Sequence, residues 1–507
     1  MLHFKYFFLL FLIFSVNVLC AENFNVRGKV FWDVNQNGIP DAGEKGIKNV
    51  AVSNGIDVVL TDENGRWELS AKVGGTIFMI KPSGYKVPLN QNQTPLHFFK
   101  YENQKEINFP LTVQNENESF SAVFFGDTQA RGLKEVDYIF FDAVDELIGT
   151  EAVFGVSLGD IVADDPELMG DISEGIAQIG IPWYNVFGNH DFDRGAASNN
   201  ERDDTFERFF GPSTYAFEYG QVVFIALNNI FFNPDGKYRP HFTDEQLAFV
   251  ENYLKFVPGD KLVVLMMHAP IVACDNAGRI YKLIQYREHT FSISGHVHEQ
   301  INVFVDKKMG WGGKETHHHL INATVCGSWW CGLNDELGIP HATMNDGAPN
   351  GYSIISFEGN KYSIRFKAAR RPENYQMNIY IPNEIETNAL DTTNVLVNIF
   401  AGSDRSKVEM SFDKTNFWFP LDNVKTVDPE CLRMFELNVY LTETVKGKPL
   451  DEVFGYTMDY PGISQHIWQA KIPENLTEGT HTVSVRTTDM YNKTWIAHRV
   501  FRIKKTQ

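Results

Sequence analysis

Hydrophobic runs that stop abruptly at polar tips punctuate the middle of this chain. SAVFFGDTQ closes on Asp127 and Gln129, FGVSLGD on Asp160, and WYNVFGNHD on Asn189, His190 and Asp191. VVLMMH ends at His268, and FSISGHVH at His296 and His298. Apolar runs of this length, closed by glycine or polar residues, read as buried strands. Between them, KEVDYIFFDAVDELIG and FTDEQLAFVENYLKF carry apolar residues at helical spacing, the second opening with a Thr243-to-Gln246 capping pattern. Strands alternating with helices over 118–369 predict an α/β domain. In such sheets chemistry gathers beyond the carboxyl ends of the strands.

The flanks follow a different rhythm. Over 24–112, short runs such as VAVSNG, DVVLTD and TIFMIK alternate with Gly, Asn and Asp turns and show no helical period. They predict an N-terminal β-sandwich-like module, separated by the polar linker QNENES. From 370 to 507 the helical period is lost again. MNIYI, NVLVNIF and HTVSVRTTD, spaced by Pro, Asn and Gly, predict a C-terminal β-sandwich. The fold class expected is therefore an α/β catalytic domain with two all-β accessory domains.

The first residues carry one lysine, then an apolar stretch from Tyr6 to Leu19, then small residues. A signal peptide over 1–21 is expected, the stretch being too short for a span. Cleavage after Cys20 or Ala21 fits, and the protein is then secreted or periplasmic. Cys20 is an alternative lipidation site, although Leu19 stands where a small residue is usual. No later run reaches the roughly 18 apolar residues of a membrane helix, so no transmembrane segment is expected.

At 507 residues, two to four domains are expected, and 43% hydrophobic residues suffice for real cores. A formal net charge of −19 with no Lys/Arg cluster excludes a phosphate-backbone binder, so no nucleic-acid partner is expected. Beyond the leader, Cys274, Cys326, Cys331 and Cys431 are too few for a disulfide scaffold and lack paired zinc spacing. Cys326 and Cys331 bracket GSWW and either close a small loop or remain two buried thiols.

One polar loop stands out in the N-terminal module. DVNQNGIPDAGE places Asp33, Asn35, Asn37, Gly38, Asp41 and Glu44 at the oxygen-donor and turn positions of a calcium loop. Helices normally flank such a loop, and here strands do. Bound structural calcium and a polar surface turn both remain open.

Singly, an aspartate at a strand end or a lone histidine is usually structural. In the order D-x-Q, GD, GNHD, H and GHxH the blocks are far more specific. They resemble the calcineurin-like metallophosphoesterases over roughly 120–369, and the flanking modules resemble the β domains of one secreted bacterial branch. FGPSTYAFEYG from 210 to 220, CGSWWCG from 326 to 332 and DGAPNGYSI from 346 to 354 support that branch.

The resemblance implies a four-layer sandwich, two mixed sheets flanked by helices, holding two divalent metal ions at the strand ends. Asp127, Gln129, Asp160 and His298 would hold the first. Asp160, Asn189, His268 and His296 would hold the second, with Asp160 bridging. Two divalent ions carry four charges and the two aspartates remove half, leaving charge for a hydroxide and a phosphate. A water bridging both ions loses a proton near neutral pH and attacks phosphorus in line. Oxygen and imidazole donors without thiolate suit Mn, Fe, Zn or Ni.

His190 lies outside both ligand sets; the resemblance makes it the general acid, with Asp191 expected to orient it. Asp164 is either a supporting carboxylate or an ordinary loop residue. Gln129 departs from the histidine that many members carry, which implies a looser first site. His317, His318 and His319 alternate faces on a strand, so they cannot all face one ion; they are expected to line or edge the cleft. Trp329 and Trp330 read as packing residues, with one at the border of the active site as the alternative.

The expected function is metal-dependent hydrolysis of a phosphoester in a small phosphorylated substrate. Monoester phosphatase and diesterase or pyrophosphatase activity on nucleotides or lipid headgroups both remain open. A non-catalytic surface-binding protein is a third reading, and the intact ligand set argues against it. Oligomeric state has no signature in the sequence.

Overall fold

The computed structural model describes residues 24–233, 235–444 and 456–506. The expected signal peptide and Cys20 lie outside them. Among the described residues no helix is long and apolar enough to cross a membrane.

Two mixed sheets build the centre of the chain. The first uses β1 (Ser119–Phe125), β2 (Phe154–Ser157), β3 (Trp183–Asn185), β10 (Gly351–Glu358) and β11 (Lys361–Ala368) in the order β3-β2-β1-β10-β11. The second uses β4 (Tyr215–Tyr219), β5 (Val222–Leu227), β6 (Leu262–Met267), β7 (Thr290–Ser294), β8 (Ile301–Val305) and β9 (His317–Ile321), ordered β4-β5-β6-β7-β9-β8. β1, β2 and β3 run parallel, as do β5, β6, β7 and β9. All five polar-tipped runs therefore end on parallel strands.

Period-two alternation decides what each strand face meets. On β1, Phe120, Ala122 and Phe124 join a core shared with the second sheet, including Phe217, Phe224 and Val264. Val123 and Phe125 instead meet Val136, Ile139, Ile172 and Ile176 of the covering helices. The helix expected at KEVDYIFFDAVDELIG forms as Leu133–Ile139, a π segment Phe140–Val144 and a last turn Asp145–Leu147. Helix Asp244–Leu254 starts with the expected capping box between Thr243 and Gln246.

Upstream, residues 24–113 form two four-stranded sheets around their own core of Val30, Val52, Trp67, Phe109 and Leu111. This region is tied to the centre by Lys81, whose buried ammonium donates to Glu116 at 2.7 Å and to the Glu218 carbonyl at 2.8 Å. Downstream, a four-stranded and a five-stranded sheet enclose Val397, Met410, Trp468 and Val485. One element there departs from the expectation of strands alone: Pro429–Thr444 is a sixteen-residue helix. It buries Cys431 and Asn438 and packs Met434 and Phe435 on a small cluster with Cys331 and Met458. Val439 and Tyr440 stay exposed, so its apolar residues are not confined to one face and the helical period is blurred.

The histidine triplet does not edge the cleft. On β9, flanked by β7 and β8, all three rings are buried. His317 and His319 share one face and meet at the Ser292 hydroxyl, 2.7 and 2.8 Å away. His318 faces the other way, bonded to Tyr362 and Asn302 at 2.9 Å each. Their position on the amino-terminal half of a sandwiched strand, rather than beyond a carboxyl end, puts them in the core.

Burial pushes His317 and His318 down to about 3, and His319 further. These rings are neutral in the fold and titrate near 6.5 in the unfolded chain, so below that pH the unfolded state binds more protons. Their stabilising contribution is complete above pH 6.5 and falls as the pH drops towards 3. Each should steepen the loss by about 1.4 kcal/mol per pH unit. Urea unfolding of His318→Gln between pH 7 and 5 should give a correspondingly shallower slope than the parent; equal slopes would refute this.

Candidate metal centre

Seven polar tips from five strand ends converge into one contact network. Asp160 sits at its middle. Its Oδ2 lies 3.1 Å from His268 Nε2 and accepts Gln129 Nε2 at 3.1 Å, while Oδ1 accepts the His190 backbone N–H at 2.8 Å. His268 Nε2 is 3.1 Å from Asn189 Oδ1 and also 3.1 Å from His296 Nδ1. Asp127 closes the other side, accepting the His296 N–H at 2.8 Å on Oδ2, with Oδ1 at 3.6 Å from His298 Nε2.

The backbone is bent to bring these atoms together. Asp127, Gln129, Asp160, His296 and His298, five of the seven, have positive φ between 23° and 79°. Left-handed backbone costs a side-chain-bearing residue about 1–2 kcal/mol, and such strain persists where the surroundings over-determine the position. Glycines permit the close approach. A Cβ on Gly188 would lie 2.3 Å from Asp160 Oδ1, and one on Gly295 would lie 2.3 Å from Asp127 Oδ2. That is why glycine precedes Asn189 and His296.

Electrostatics show what the pocket wants. Asp127 and Asp160 are essentially inaccessible to solvent. Burial acts against the Asp160 carboxylate, yet the facing His268 imidazole holds its pKa below the ordinary value. Burial likewise pushes His268 down, and Asp160 with Asp127 more than offset it, to about 9. His296, facing His268, is pushed down to about 4 by burial and by that neighbour's charge. Two aspartates thus draw positive charge into a dry pocket, and two imidazoles at 3.1 Å cannot both supply it.

A divalent cation fits this demand. Asp160, His268 and His296 each offer a ligand atom within 4.8 Å of the others. Asp127 Oδ1 is buried with no hydrogen-bond partner, an arrangement that is costly unless something else satisfies it. The donors are oxygen and imidazole nitrogen, the set that divalent first-row metals accept.

Each histidine of the network is held from behind. His268 Nδ1 donates to the Leu158 carbonyl at 2.8 Å, so Nε2 faces the pocket. His296 Nε2 meets the Tyr238 hydroxyl at 3.5 Å, and His298 Nδ1 meets Cys326 Sγ at 3.9 Å. Such back-side partners fix the tautomer and ring orientation of a metal ligand. Tyr238 lies far from any motif, and Cys326 opens the CGSWWCG run without any sign there of its contact with His298; only the folded chain reveals both partners.

The expected partner of His190 is corrected. Asp191 does not meet that ring: its carboxylate accepts backbone N–H groups of Ile161, Val162 and Gly188 at 2.8 to 3.2 Å. It tethers the Asp160 loop to the Asn189 loop. Asp164 takes the orienting place, its Oδ1 2.8 Å from His190 Nδ1 and its Oδ2 2.8 Å from Arg194.

The tryptophans divide. Trp329 is half-buried, its ring stacked on His298 at 5.5 Å and edge-on to His190 at 5.0 Å. Trp330 is fully buried and donates to the Thr128 carbonyl at 3.0 Å. All four described cysteines are free and buried, and Cys331 packs with Cys431 and Met458.

The strand-rich C-terminal region reaches this pocket. Asp346 accepts the N–H of Gln300, two residues beyond His298, at 2.7 Å and pairs with buried His466 at 2.9 Å. His466 in turn meets Asn398 at 2.7 Å. A dry polar strut thus joins the C-terminal sheet to the loop that carries His296 and His298.

In the N-terminal loop Asp33–Glu44, Asp33 is buried, while Asn35, Asn37 and Asp41 are exposed. Asp33 accepts the N–H groups of Asn37 and Gly38 at 3.2 and 2.8 Å, and Glu44 accepts those of Val34 and Asp41. Asn35 and Asn37 both donate to Asp41 Oδ2 at 2.8 Å, holding that carboxyl below its usual range.

Three family profiles match successive parts of the chain. Residues 34–114 match a family profile described as the N terminal of calcineurin-like phosphoesterase. Residues 120–300 match calcineurin-like phosphoesterase, and 319–495 its C terminal. No curated protein matches the chain. Among solved structures, a dimetal phosphatase from Danio rerio is 13% identical, covering 49% of this chain and 96% of its own, with a TM-score of 0.32. Purple acid phosphatase PPD1 from yellow lupin (Lupinus luteus) seeds is 11% identical, covering 69% and 67%, with a TM-score of 0.36.

Proposed function

The chain belongs to the calcineurin-like phosphoesterases and is a hydrolase of phosphoesters, and on that premise we propose a two-ion centre. Asp127, Gln129, Asp160 and His298 hold one divalent ion; Asp160, Asn189, His268 and His296 hold the second, sharing Asp160. The observation that carries this reading is the buried, partnerless Asp127 Oδ1 beside the Asp160–His268–His296 cluster. When bound, the pair of ions supplies Lewis acidity and an activated water for in-line attack on phosphorus. Mn, Fe, Zn and Ni all suit the donor set.

The residues around the centre do the proton work. His190 is about one-fifth exposed, and Asp164 occupies its Nδ1, leaving Nε2 to protonate the departing alkoxide. Asp164 fixes the orientation of the ring through that contact. Trp329 walls the same side and keeps the leaving group near His190. The substrate is a small phosphorylated molecule, and a diester or pyrophosphate of a nucleotide or lipid headgroup is the alternative to a monoester.

The same reading extends to the rest of the chain. The core shared by the two central sheets and the helices on the far face of the first support a four-layer catalytic sandwich over 118–369. The separate cores upstream and downstream support accessory β domains at 24–112 and 370–507. The leader places the protein outside the cytoplasm, secreted or periplasmic, with lipid anchoring through Cys20 as the alternative. In the N-terminal domain the Asp33, Asn35, Asn37, Asp41 and Glu44 oxygens hold a structural calcium ion.

Asp160→Asn should lower kcat/KM on a phosphoester by about 10³-fold or more, and chelation should abolish turnover until a divalent metal is restored. Undiminished turnover in either case would remove the two-ion reading. A panel of monoesters, cyclic nucleotides and phospholipid headgroups separates the substrate classes.

His190→Ala should cost about 10²–10⁴-fold on alkyl phosphates, with a much smaller loss on 4-nitrophenyl phosphate, whose leaving group needs no proton. Asp164→Ala should follow the same pattern more weakly. Equal losses on both substrates would show that His190 is not the acid.

Millimolar calcium should raise the melting temperature of the parent but not of Glu44→Gln. A melting temperature insensitive to calcium would leave the loop a plain turn.

A further inference from the structure

Behind the first ion's ligands lies a thiol that the catalytic scheme does not use. Cys326 is fully buried, and its Sγ lies 3.6 Å from Gln129 Oε1 and 3.9 Å from His298 Nδ1. Gln129 and His298 are two of the three ligands assigned to the first ion alone, Asp127 being the third. The other histidines rest on oxygen: His268 on the Leu158 carbonyl and His296 on the Tyr238 hydroxyl. The first site therefore differs from the second in what stands behind it, a single soft sulfur shared by two ligands.

The chemistry of the contacts gives that sulfur a task. His298 directs Nε2 to the Asp127 side, so Nδ1–H needs an acceptor at its back, and Cys326 Sγ is the group placed there. Gln129 Nε2 here donates to Asp160, leaving Oε1 to accept from the thiol. To present Oε1 to an ion the amide turns over, and Nε2–H then meets Sγ, which accepts instead of donating. A thiol serves both arrangements because sulfur is a weak donor and a weak acceptor. Trp329 covers the His298 ring from another side, and Cys326 is the polar contact at its Nδ1, opposite the Asp127 side.

We infer that Cys326 is a positioning residue for the first metal ion, holding Gln129 and His298 in their ligating orientation and so setting the affinity of that site. The inference rests on the two-ion reading above. A neutral amide and a sulfur-backed imidazole make the first site the weaker of the two. Alanine at 326 leaves both ligands without a partner behind them, whereas serine keeps a donor and acceptor on a shorter arm. Loss of a partner behind a metal ligand typically costs 10–100-fold in metal affinity.

The test is a titration of the chelator-stripped full-length protein with Mn²⁺ alone, read by calorimetry and by metal content after desalting. The parent should bind two ions in two affinity classes, and Gln129→Ala should identify the weaker class as the first site. C326A should weaken that class 10–100-fold and leave the tighter class within about threefold, with C326S in between. Unchanged affinities in C326A, or equal weakening of both classes, would overturn the proposal. If C326A does not fold, C326S decides: it must weaken the first class alone. A parent that binds fewer than two ions would overturn the two-ion reading itself, a result distinct from any effect of the variants.

Discussion

Two carboxylates in a dry pocket set the terms for the rest of this protein. Asp127 and Asp160 are almost inaccessible to water, and an uncompensated buried carboxylate costs several kcal/mol. The pocket answers with imidazoles, amides and backbone N–H groups, and still leaves Asp127 Oδ1 without a partner. The opposite displacement of His268 and His296 shows the same demand, since one ring is drawn towards its charged form at the other's expense. A divalent cation satisfies both carboxylates at once, which no side chain in the network does.

The fold is arranged to make that pocket possible. Parallel strands deliver their ends to one edge, and the turns that follow adopt left-handed backbone to aim the donors inward. Glycines ahead of Asn189 and His296 allow contact distances that a Cβ would forbid. Asp191 ties two of the turns together through three backbone N–H groups, so the residue beside His190 serves as scaffold. The energy stored in these turns is supported by the large shared core beneath them.

The flanking regions are part of the same construction. Lys81 binds the N-terminal sheets to the Glu218 carbonyl, and the His466–Asp346 pair braces the loop beyond His298 from the C-terminal side. Arg131 extends this link at the pocket rim. Its guanidinium lies 3.7 Å from the Tyr456 ring and donates to the Trp329 carbonyl at 2.9 Å. The wall beside His190 is thus held by residues from both the central and the C-terminal regions.

The sequence alone determined what is local. Strand ends, the donor types at their tips, the capping box at Thr243 and the amphipathic helix after Gly132 are all written in periods of two to four residues. The order of the five tips carried the family and, by resemblance, the ligand assignment. What depended on the approach of distant loops was decided by tertiary structure. Asp164 rather than Asp191 meets His190 because a loop 26 residues upstream returns to it, whereas the adjacent carboxylate is captured by backbone. Cys326 reaches Gln129 across 197 residues, and the histidine triplet is buried because β9 lies between β7 and β8. The helix at Pro429–Thr444 escaped notice because its apolar residues are split between a small cluster at Cys431, Met434 and Phe435 and an exposed side carrying Val439 and Tyr440. A side chain's chemistry is fixed by its own covalent structure, but its partner is fixed by packing, and packing is settled only when the whole chain has folded.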